Sequence, residues 1–445
     1  MFRVPSSMEF EELYHKGPQK GAVYALCVLT LINLINYADR FIPSSTKDLY
    51  KKDLQLSDAE SSAPMTAFIV VYMFTSPIFA MLSDRGFSRR YLLMSGVILW
   101  SLATGLTFFA IDFWTFLSFR TLVGVGEAAY ATIAPALLAD LYPPDMRNRV
   151  MTIMSIAAPV GGAIGFTLGG ILGQQISWRA AFLFCGIPGV FVALLIHRIR
   201  DPGVGTFETL ENDSVPWLEV VKRLSRNKEY LFCLGGLTLH TWAVGALTDW
   251  LPTYIYRYNT DLDMETSAMI VGASVVVGGV GGTLTGSMIG DRLKEKMDNA
   301  YFAVSSVSLF LCGVFILLLM LFVRAHPAVV IALVFIGQIF AWFYLGPISA
   351  IQANCVEANI RARSFSLCIL IMHLLGDGAS PIIVGSISDH SSLFKGLILA
   401  PCMLMGAGLV FGVACFVVKK NDESTREYLL ADDESFDSKL NDDEF

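Results

Sequence analysis

Charged side chains inside apolar segments are the residues of this sequence that are best placed to do chemistry. Arg120 and Glu127 lie seven residues apart in a stretch that is otherwise apolar or small from Phe113 to Leu138. Seven residues are about two turns of an α-helix, so both side chains share one face. A charge at bilayer depth costs on the order of several kcal/mol unless it has a partner or lines a water-filled cavity. The segment is therefore predicted to face a polar interior.

Two further pairs could take part in the same chemistry. Asp39 and Arg40 lie near the end of the first apolar segment, and His373 and Asp377 are one helical turn apart in the eleventh. Burial and neighbouring charges shift the proton affinity of such groups, so that they can bind and release protons near neutral pH. Asp39, Glu127, His373 and Asp377 are the candidate proton-coupling residues.

Candidate substrate contacts occur in the same segments. A guanidinium group binds a phosphate through two parallel hydrogen bonds, which makes Arg120 and Arg40 candidates for holding an anionic headgroup. His240, Trp242 and Trp250 in the seventh apolar segment could line the opposite wall of a cavity.

Each of these residues also has a purely structural explanation. Asp39 and Arg40 could mark a loop boundary in the headgroup region, and Glu127 could form an ion pair with Arg40 or Arg120 that only fixes helix packing. His373 could be a hydrogen-bonded core residue. The aromatic residues of the seventh segment could be ordinary packing or part of an interfacial belt.

Composition places these segments in a membrane protein. The 445 residues are 54% hydrophobic and 16% charged, with a mean hydropathy of +0.57, which is too apolar for soluble domains of this length. No histidine spacing predicts a metal site, and the GxGxxA string at 124–129 lies in the middle of an apolar segment instead of after a strand. We expect no enzyme activity, no cofactor, no metal and no nucleic-acid partner.

Twelve segments are long enough to span a bilayer, at about 20 residues each. The prediction is an all-α integral membrane protein. The predicted spans are 21–44, 64–82, 91–111, 113–139, 150–173, 179–198, 230–256, 266–290, 300–323, 327–354, 364–388 and 394–418.

Lysine and arginine are far more frequent in the tails and even-numbered loops than in the odd-numbered loops, which predicts cytoplasmic termini. The predicted organisation has five parts. They are a cytoplasmic N-terminal tail (1–20), a six-helix half (21–198), a cytoplasmic linker (199–229), a second six-helix half (230–418) and an acidic cytoplasmic tail (419–445).

The two halves resemble one another. SDRGFSRR at 83–90 follows the second span, as GDRLKEK at 290–296 follows the eighth, and internal repeats of this kind build transporters from two halves. Glycines recur at four-residue spacing in the fifth and eighth spans, which lets helices approach closely. We expected these ridges to meet where the halves join; they are Gly161, Gly165, Gly169 and Gly173 in the fifth span, and Gly278, Gly282, Gly286 and Gly290 in the eighth.

These features resemble the major facilitator superfamily, and five strings resemble its Spinster branch. The strings are INYADRF (35–41), RTLVGVGEAAYATIAPALLADLY (120–142), APVGGAIG (158–165), GAL..W.P (245–252) and HLLGDGASPIIVGSISD (373–389). Asp249 and Asn354 depart from the branch's usual pattern, which has an apolar residue at the first position and an acidic one at the second.

The resemblance implies residue roles. Asp39 would face the central cavity with Glu127 and Arg120. The loop signature after the second span and its echo after the eighth would control gating through charge pairing with a neighbouring helix end. The gating candidates are Asp84, Arg85, Gly86, Arg89, Arg90, Asp291 and Arg292.

The resemblance also implies a function, namely proton-coupled transport of lysophospholipids or sphingoid-type single-chain lipids by alternating access. A small organic anion or sugar-phosphate carrier on the same scaffold is the first alternative, and a non-transporting membrane sensor or scaffold is the second. Expected partners are membrane lipids, the amphipathic substrate and protons, with the chain a monomer. A weak sorting signal at Glu427 to Leu430 favours an endosomal or lysosomal membrane over the plasma membrane.

Overall fold

The computed structural model describes residues 17–203, 216–356 and 358–418. Within these ranges it has twelve helices long and apolar enough to cross a membrane, which confirms the predicted number of spans. The predicted tail motif at Glu427 to Leu430 lies outside the described residues. The spans are Ala22–Ser45, Asp58–Ser83, Arg89–Phe109, Phe113–Leu141, Arg149–Gln175, Trp178–Arg198, Lys228–Tyr258, Met264–Lys294, Ala300–Phe322, Pro327–Gln352, Arg363–His390 and Leu393–Val417.

Capping residues explain where the spans begin. The second span starts six residues before its apolar core because Ser57 and Glu60 form a capping box, in which each side chain accepts from the backbone N–H of the other. Asp112 caps the fourth span in the same way, and Asn227 caps the seventh. These caps satisfy N–H groups that the first helical turn leaves without a partner.

The spans pack as two six-helix halves. In the first half, the first span packs on the fifth and the second span on the fourth; in the second half, the seventh and ninth spans pack on the twelfth. The halves meet where the fifth span contacts the eighth and the second contacts the eleventh. The predicted two-half architecture is confirmed.

The eighth, tenth and eleventh spans are interrupted near their middles. The eighth has a π-helical segment at Gly278–Gly282, the tenth divides after Trp342, and the eleventh divides between Leu375 and Ser380. Discontinuous spans expose backbone groups to the interior of transporters, where substrates and ions bind. The break in the eleventh span contains Asp377, one of the predicted proton-coupling residues.

The glycine ridges do not meet at the seam between the halves, so that prediction was wrong. A Cβ atom at Gly161 or Gly165 would collide with the backbone of Leu34 or Ala38 in the first span, within the same half. Gly282 likewise faces Ile339 of the tenth span. Four-residue spacing defines a close-packing face but not which neighbour occupies it.

Other glycines form the seam itself. A Cβ atom at Gly170 would lie 3.1 Å from Ala268 Cβ, and one at Gly272 would lie 3.0 Å from Phe166 Cβ. These contacts join the fifth and eighth spans across the two halves. The seam is therefore close-packed, but through residues outside the two ridges.

This geometry changes the expected effect of a bulky residue at position 165. Gly165→Leu should lower the folded yield and melting temperature, because overpacking a core helix pair costs about 1–3 kcal/mol or more. Gly281→Leu is the matched control, since a Cβ atom there meets nothing within 4 Å. Detergent-solubilised protein compared by size exclusion and thermal melting provides the test, and normal yield and melting for Gly165→Leu would contradict the assigned packing.

Candidate functional site

A charged network joins the two halves at their outer end, the end opposite the predicted cytoplasmic side. Lys47, which follows the first span, pairs with Asp249 of the seventh span, and both side chains are fully buried. Ser62 donates to Asp249 at 2.6 Å and accepts from Lys47 at 2.7 Å. The Lys47 ammonium also lies 3.8 Å from the centre of the Trp250 ring, a cation–π contact.

Arg257 extends this network from the end of the seventh span. Its guanidinium pairs with Asp48 and, at 2.9 Å, with Asp58 at the start of the second span. Asp389 of the eleventh span accepts from the backbone N–H groups of Asp58 and Ala59 at 2.7 and 2.9 Å. The network thus ties the first and second spans to the seventh and eleventh, as expected for a state that is closed on the outer side.

A second charge cluster lies inside the first half. Arg40 donates to Glu127 Oε2 at 2.6 Å. This contact is one of the two ion pairs that the sequence suggested for Glu127. The Arg40 guanidinium also lies within 6 Å of the ring centres of Tyr37, Phe68 and Tyr72. The Arg40 side chain keeps 23% of its surface exposed, whereas that of Glu127 keeps 1%, so Arg40 is the accessible member of the pair.

Asp39 and Arg120 complete this cluster. Both are buried, and Arg120 interacts electrostatically with Glu127 and Asp39 while its guanidinium lies 5.9 Å from the ring centres of Phe68 and Phe182. The Trp100 Nε1–H lies near the Asp39 carboxylate without good hydrogen-bond geometry, and neither terminal nitrogen of Arg120 has a hydrogen-bond partner among the described residues. Buried polar atoms without partners are expensive and mark functional sites. Arg120 is too enclosed to meet a substrate directly in this state.

His373 and Asp377 form the predicted pair in the eleventh span. Nδ1 of His373 lies 2.9 Å from both carboxylate oxygens of Asp377, and both side chains are partly exposed. The pair is close enough to the first-half cluster for the Asp377 charge to act on Tyr72, which also lies beside Arg40. The two groups of predicted proton-coupling residues therefore face the same interior.

A cavity of about 190 Å³ lies between the halves. Tyr37 and Phe41, which flank Arg40 on the first span, form part of its wall, and most of the remaining wall is apolar. The polar side chains that line it come mainly from the second half. They are His240, Thr248, Gln338, Trp342 and Tyr344.

His240 lies on the cavity wall, as the sequence predicted, whereas Trp242 and Trp250 do not. The His240 ring packs on Tyr344 with ring centres 4.2 Å apart and ring planes tilted by 52°; the Ala341 carbonyl lies nearby without hydrogen-bond geometry, and neither ring nitrogen has a partner within the described chain. Trp242 is buried, and its backbone lies against Gly376 at the break in the eleventh span. Trp250 is buried in the outer network, where its Nε1–H donates to the Pro381 carbonyl at 3.0 Å.

The predicted gating loop is held within the first half. Arg89 pairs with Asp140 at the end of the fourth span and with Asp201 after the sixth. Burial alone would raise the pKa of Asp201, but hydrogen bonds from Arg89 and the Gly203 N–H, together with the charges of Arg89 and Arg90, hold that pKa below its usual value. The ends of three spans on the predicted cytoplasmic side are thereby tied into one unit.

The other gating candidates have weaker or local contacts. Gly86 adopts a left-handed backbone with φ of 86°, which a side chain would strain, and Arg85 is exposed at the end of the second span. Arg90 donates to the His197 carbonyl at 3.3 Å. Asp291 accepts from the Tyr301 hydroxyl at 2.8 Å, and Arg292 is exposed beside it. The side chain of Asp84 lies outside the described residues, and its gating role stays a prediction.

Sequence reasoning missed the outer network. In the sequence Asp249 stands out as a departure from the Spinster pattern, and neither Lys47 nor Arg257 falls inside a predicted span. A carboxylate inside a span requires a partner. Lys47 and Arg257 lie at the same level of the membrane and had no assigned role, so this rule would have identified them as candidate partners of Asp249.

Twelve spans in two halves around a central cavity, closed at one end by charge pairs, define a secondary transporter of the major facilitator type. The family model described as Major Facilitator Superfamily matches residues 29–381, and the chain belongs to that superfamily. Within it, the chain belongs to the Spinster family. Protein spinster homolog 1 of Xenopus tropicalis is 32% identical over 94% of this chain and 85% of its own length; the Homo sapiens homolog is 30% identical, with 87% and 76% covered.

A solved structure supports the fold. The crystal structure of a bacterial homolog of the human lysosomal transporter Spinster, in an inward-facing and occupied conformation, superimposes with a TM-score of 0.77. The match covers 90% of this chain and 98% of the bacterial chain at 20% sequence identity. The agreement concerns architecture alone.

Proposed function

We propose that this protein is a proton-coupled transporter of single-chain amphipathic lipids, such as lysophospholipids or sphingoid bases, that works by alternating access. One observation carries the proposal. The wall of a mostly apolar cavity between the halves includes Tyr37, and the partly exposed Arg40 guanidinium lies 5.0 Å from the centre of that ring. This juxtaposition suits a substrate that has an apolar chain and a phosphate or polar headgroup.

The roles of the residues follow from their exposure. Arg40, beside the cavity residue Tyr37, binds the headgroup, while buried Arg120 balances the negative charges of Asp39 and Glu127. His240 supplies a polar contact on the opposite wall. Protons move on and off Asp39, Glu127 and the His373–Asp377 pair as the halves rock.

The cavity favours a lipid through its apolar wall and not through its size. At about 190 Å³ it is smaller than the roughly 300–1,000 Å³ of pockets that enclose drug-sized ligands, so part of a lipid would extend beyond it. A small organic anion or sugar phosphate would instead need an enclosed polar cavity, and the apolar wall counts against it. Charge pairs that close the outer end count against a non-transporting scaffold. We further propose a monomer in an endosomal or lysosomal membrane, with the plasma membrane as the alternative.

Lipid binding should depend on Arg40. Arg40→Ala should weaken binding of radiolabelled lysophosphatidylcholine to the purified protein about tenfold or more, since a hydrogen bond to a charged group contributes about 1.5–3 kcal/mol. Arg40→Lys should recover part of the loss, because it restores the charge but not the bidentate geometry. Scintillation proximity binding provides the measurement.

The matched control is Arg179→Ala, which removes an arginine that pairs with Asp53 on the outer side of the first half. It should bind the lipid as the unmodified protein does. Unchanged binding in Arg40→Ala would contradict the headgroup assignment. Displacement of the lipid by glucose 6-phosphate at a similar concentration would instead support the small-anion alternative and overturn the lipid proposal.

A further inference from the structure

A short helix on the cytoplasmic side belongs to neither six-helix bundle. It spans Trp217–Arg226, directly before the seventh span, and is about 15 Å long. The linker between the halves was predicted only as a polar cytoplasmic stretch. The helix within that stretch has three faces of different chemistry.

One face of this helix packs on the protein. Val220 and Leu224 are buried in the core of the second half. Asn227, at the end of the helix, caps the seventh span and donates to the Cys355 carbonyl after the tenth. The helix is thus fixed to the second half.

The adjoining face is apolar and uncovered. At 100° per residue, Trp217, Leu218 and Val221 form an arc beside the buried residues. Their exposed fractions are 57%, 82% and 44%, which is too much apolar surface for a helix that meets only water. A tryptophan beside an aliphatic residue is typical of the membrane interface.

The opposite face is basic. Lys222, Arg223 and Arg226 lie there, and Glu219 is the one acidic residue of the helix, 3.3 Å from Arg223 and 3.9 Å from Lys222. Arg363, at the start of the eleventh span, lies 5.9 Å from the centre of the Trp217 ring. Positive charge therefore borders the apolar arc.

We propose that the helix Trp217–Arg226 is an interfacial anchor that inserts its apolar arc into the cytoplasmic leaflet and binds anionic phospholipid headgroups through its basic residues. The arrangement matches amphipathic helices that lie in the headgroup region, where apolar burial and attraction to anionic lipids act together. Charge complementarity favours an anionic leaflet over a neutral one. The anchor would hold the second half at a fixed depth while the first half rocks against it.

Site-specific quenching in the full-length protein tests the proposal. Leu218→Cys, in a background where the exposed Cys27 and Cys402 are serine, is labelled with bimane and reconstituted into vesicles that contain brominated lipid. Bimane at position 218 should be strongly quenched, and bimane at Arg226→Cys on the basic face should be quenched far less. Replacing about a third of the phosphatidylcholine with phosphatidylserine should raise the quenching at position 218 by about twofold.

A charge-reversed pair, Lys222→Glu with Arg226→Glu, should remove the response to phosphatidylserine and keep the basal quenching at position 218. Equal quenching at positions 218 and 226 would overturn the insertion. If position 218 is quenched only after residues 419–445 are deleted, the acidic tail covers the apolar arc in the full-length protein. That result would also overturn the proposal. None of these readouts depends on the transported substrate.

Discussion

Asp249→Ala is expected to open the outer side of the protein. In the outer-closed state Lys47 is buried against Asp249, so the substitution leaves an uncompensated charge that costs about 3–5 kcal/mol in that state. In an outward-open state water reaches Lys47 and the penalty disappears. A difference of about 3 kcal/mol moves the equilibrium roughly 150-fold towards the open state.

Replacing both partners should have the opposite effect. Lys47→Met with Asp249→Leu exchanges the pair for apolar groups of similar volume, which is often neutral or stabilising for a buried pair. The double variant should remain closed on the outer side, and its transport should be slow because opening is rate-limiting. If the single variant opens the outer side and the double variant keeps it closed, the pair acts as a gate and not as a general stabiliser.

Distances between spin labels at the exposed positions 52 and 260, one on each half, report this equilibrium. Asp249→Ala should shift the distance distribution to longer values. Asp53→Ala is the matched control, because Asp53 pairs with Arg179 within the first half and its loss should leave the distribution unchanged. An unchanged distribution in Asp249→Ala would contradict a gating role for the outer network.

Glu127→Gln is expected to abolish the response of transport to a pH gradient while retaining lipid binding. The substitution keeps the size of the side chain and its hydrogen-bond acceptor but removes the carboxylate that pairs with Arg40 at 2.6 Å. Because Arg40 is partly exposed, water can solvate it, and buried Arg120 keeps Asp39 as a counter-charge, so the stability loss should be small. Thermal melting and equilibrium lipid binding measured on the same preparation establish both points.

A purely structural ion pair predicts a different pattern. Melting temperature and transport would then fall together, and the remaining transport would still respond to the gradient. Asp39→Asn provides the second test of the cluster, because the Asp39 carboxylate is buried beside Trp100 without a well-formed hydrogen bond among the described residues. If both variants respond as the unmodified protein does, coupling must involve His373 and Asp377 instead.

The architecture was predictable because it depends on local composition. Apolar length and repeated loop charges identified twelve spans in two halves, and the isolated charges Arg120 and Glu127 indicated a polar interior. The helix Trp217–Arg226 was missed because it is only ten residues long. A hydropathy window of bilayer length averages its apolar positions with the polar linker around them.

The arrangement of neighbours was not predictable. Lys47 and Asp249 are 202 residues apart, and nothing local indicates that their spans meet at the same level of the membrane. Gly165 illustrates the same limit, since its spacing defines a packing face while the fold decides that Ala38 occupies it. Trp250 was assigned to the cavity by residue type, but the close packing of the seventh and eleventh spans encloses it in the outer network.

The most direct test of proton-coupled lipid transport is the uptake of lysophosphatidylcholine into proteoliposomes with and without an imposed pH gradient. The account predicts that initial uptake rises several-fold when one direction of the gradient is imposed, that protein-free vesicles show no rise, and that Glu127→Gln keeps only the gradient-independent rate. Acid-driven uptake should also raise the pH of the acidic compartment, and it should do so only when the lipid is present. Uptake that is independent of the gradient in the unmodified protein, or an undiminished gradient response in Glu127→Gln, would contradict the coupling that we assign to the Arg40–Glu127 pair.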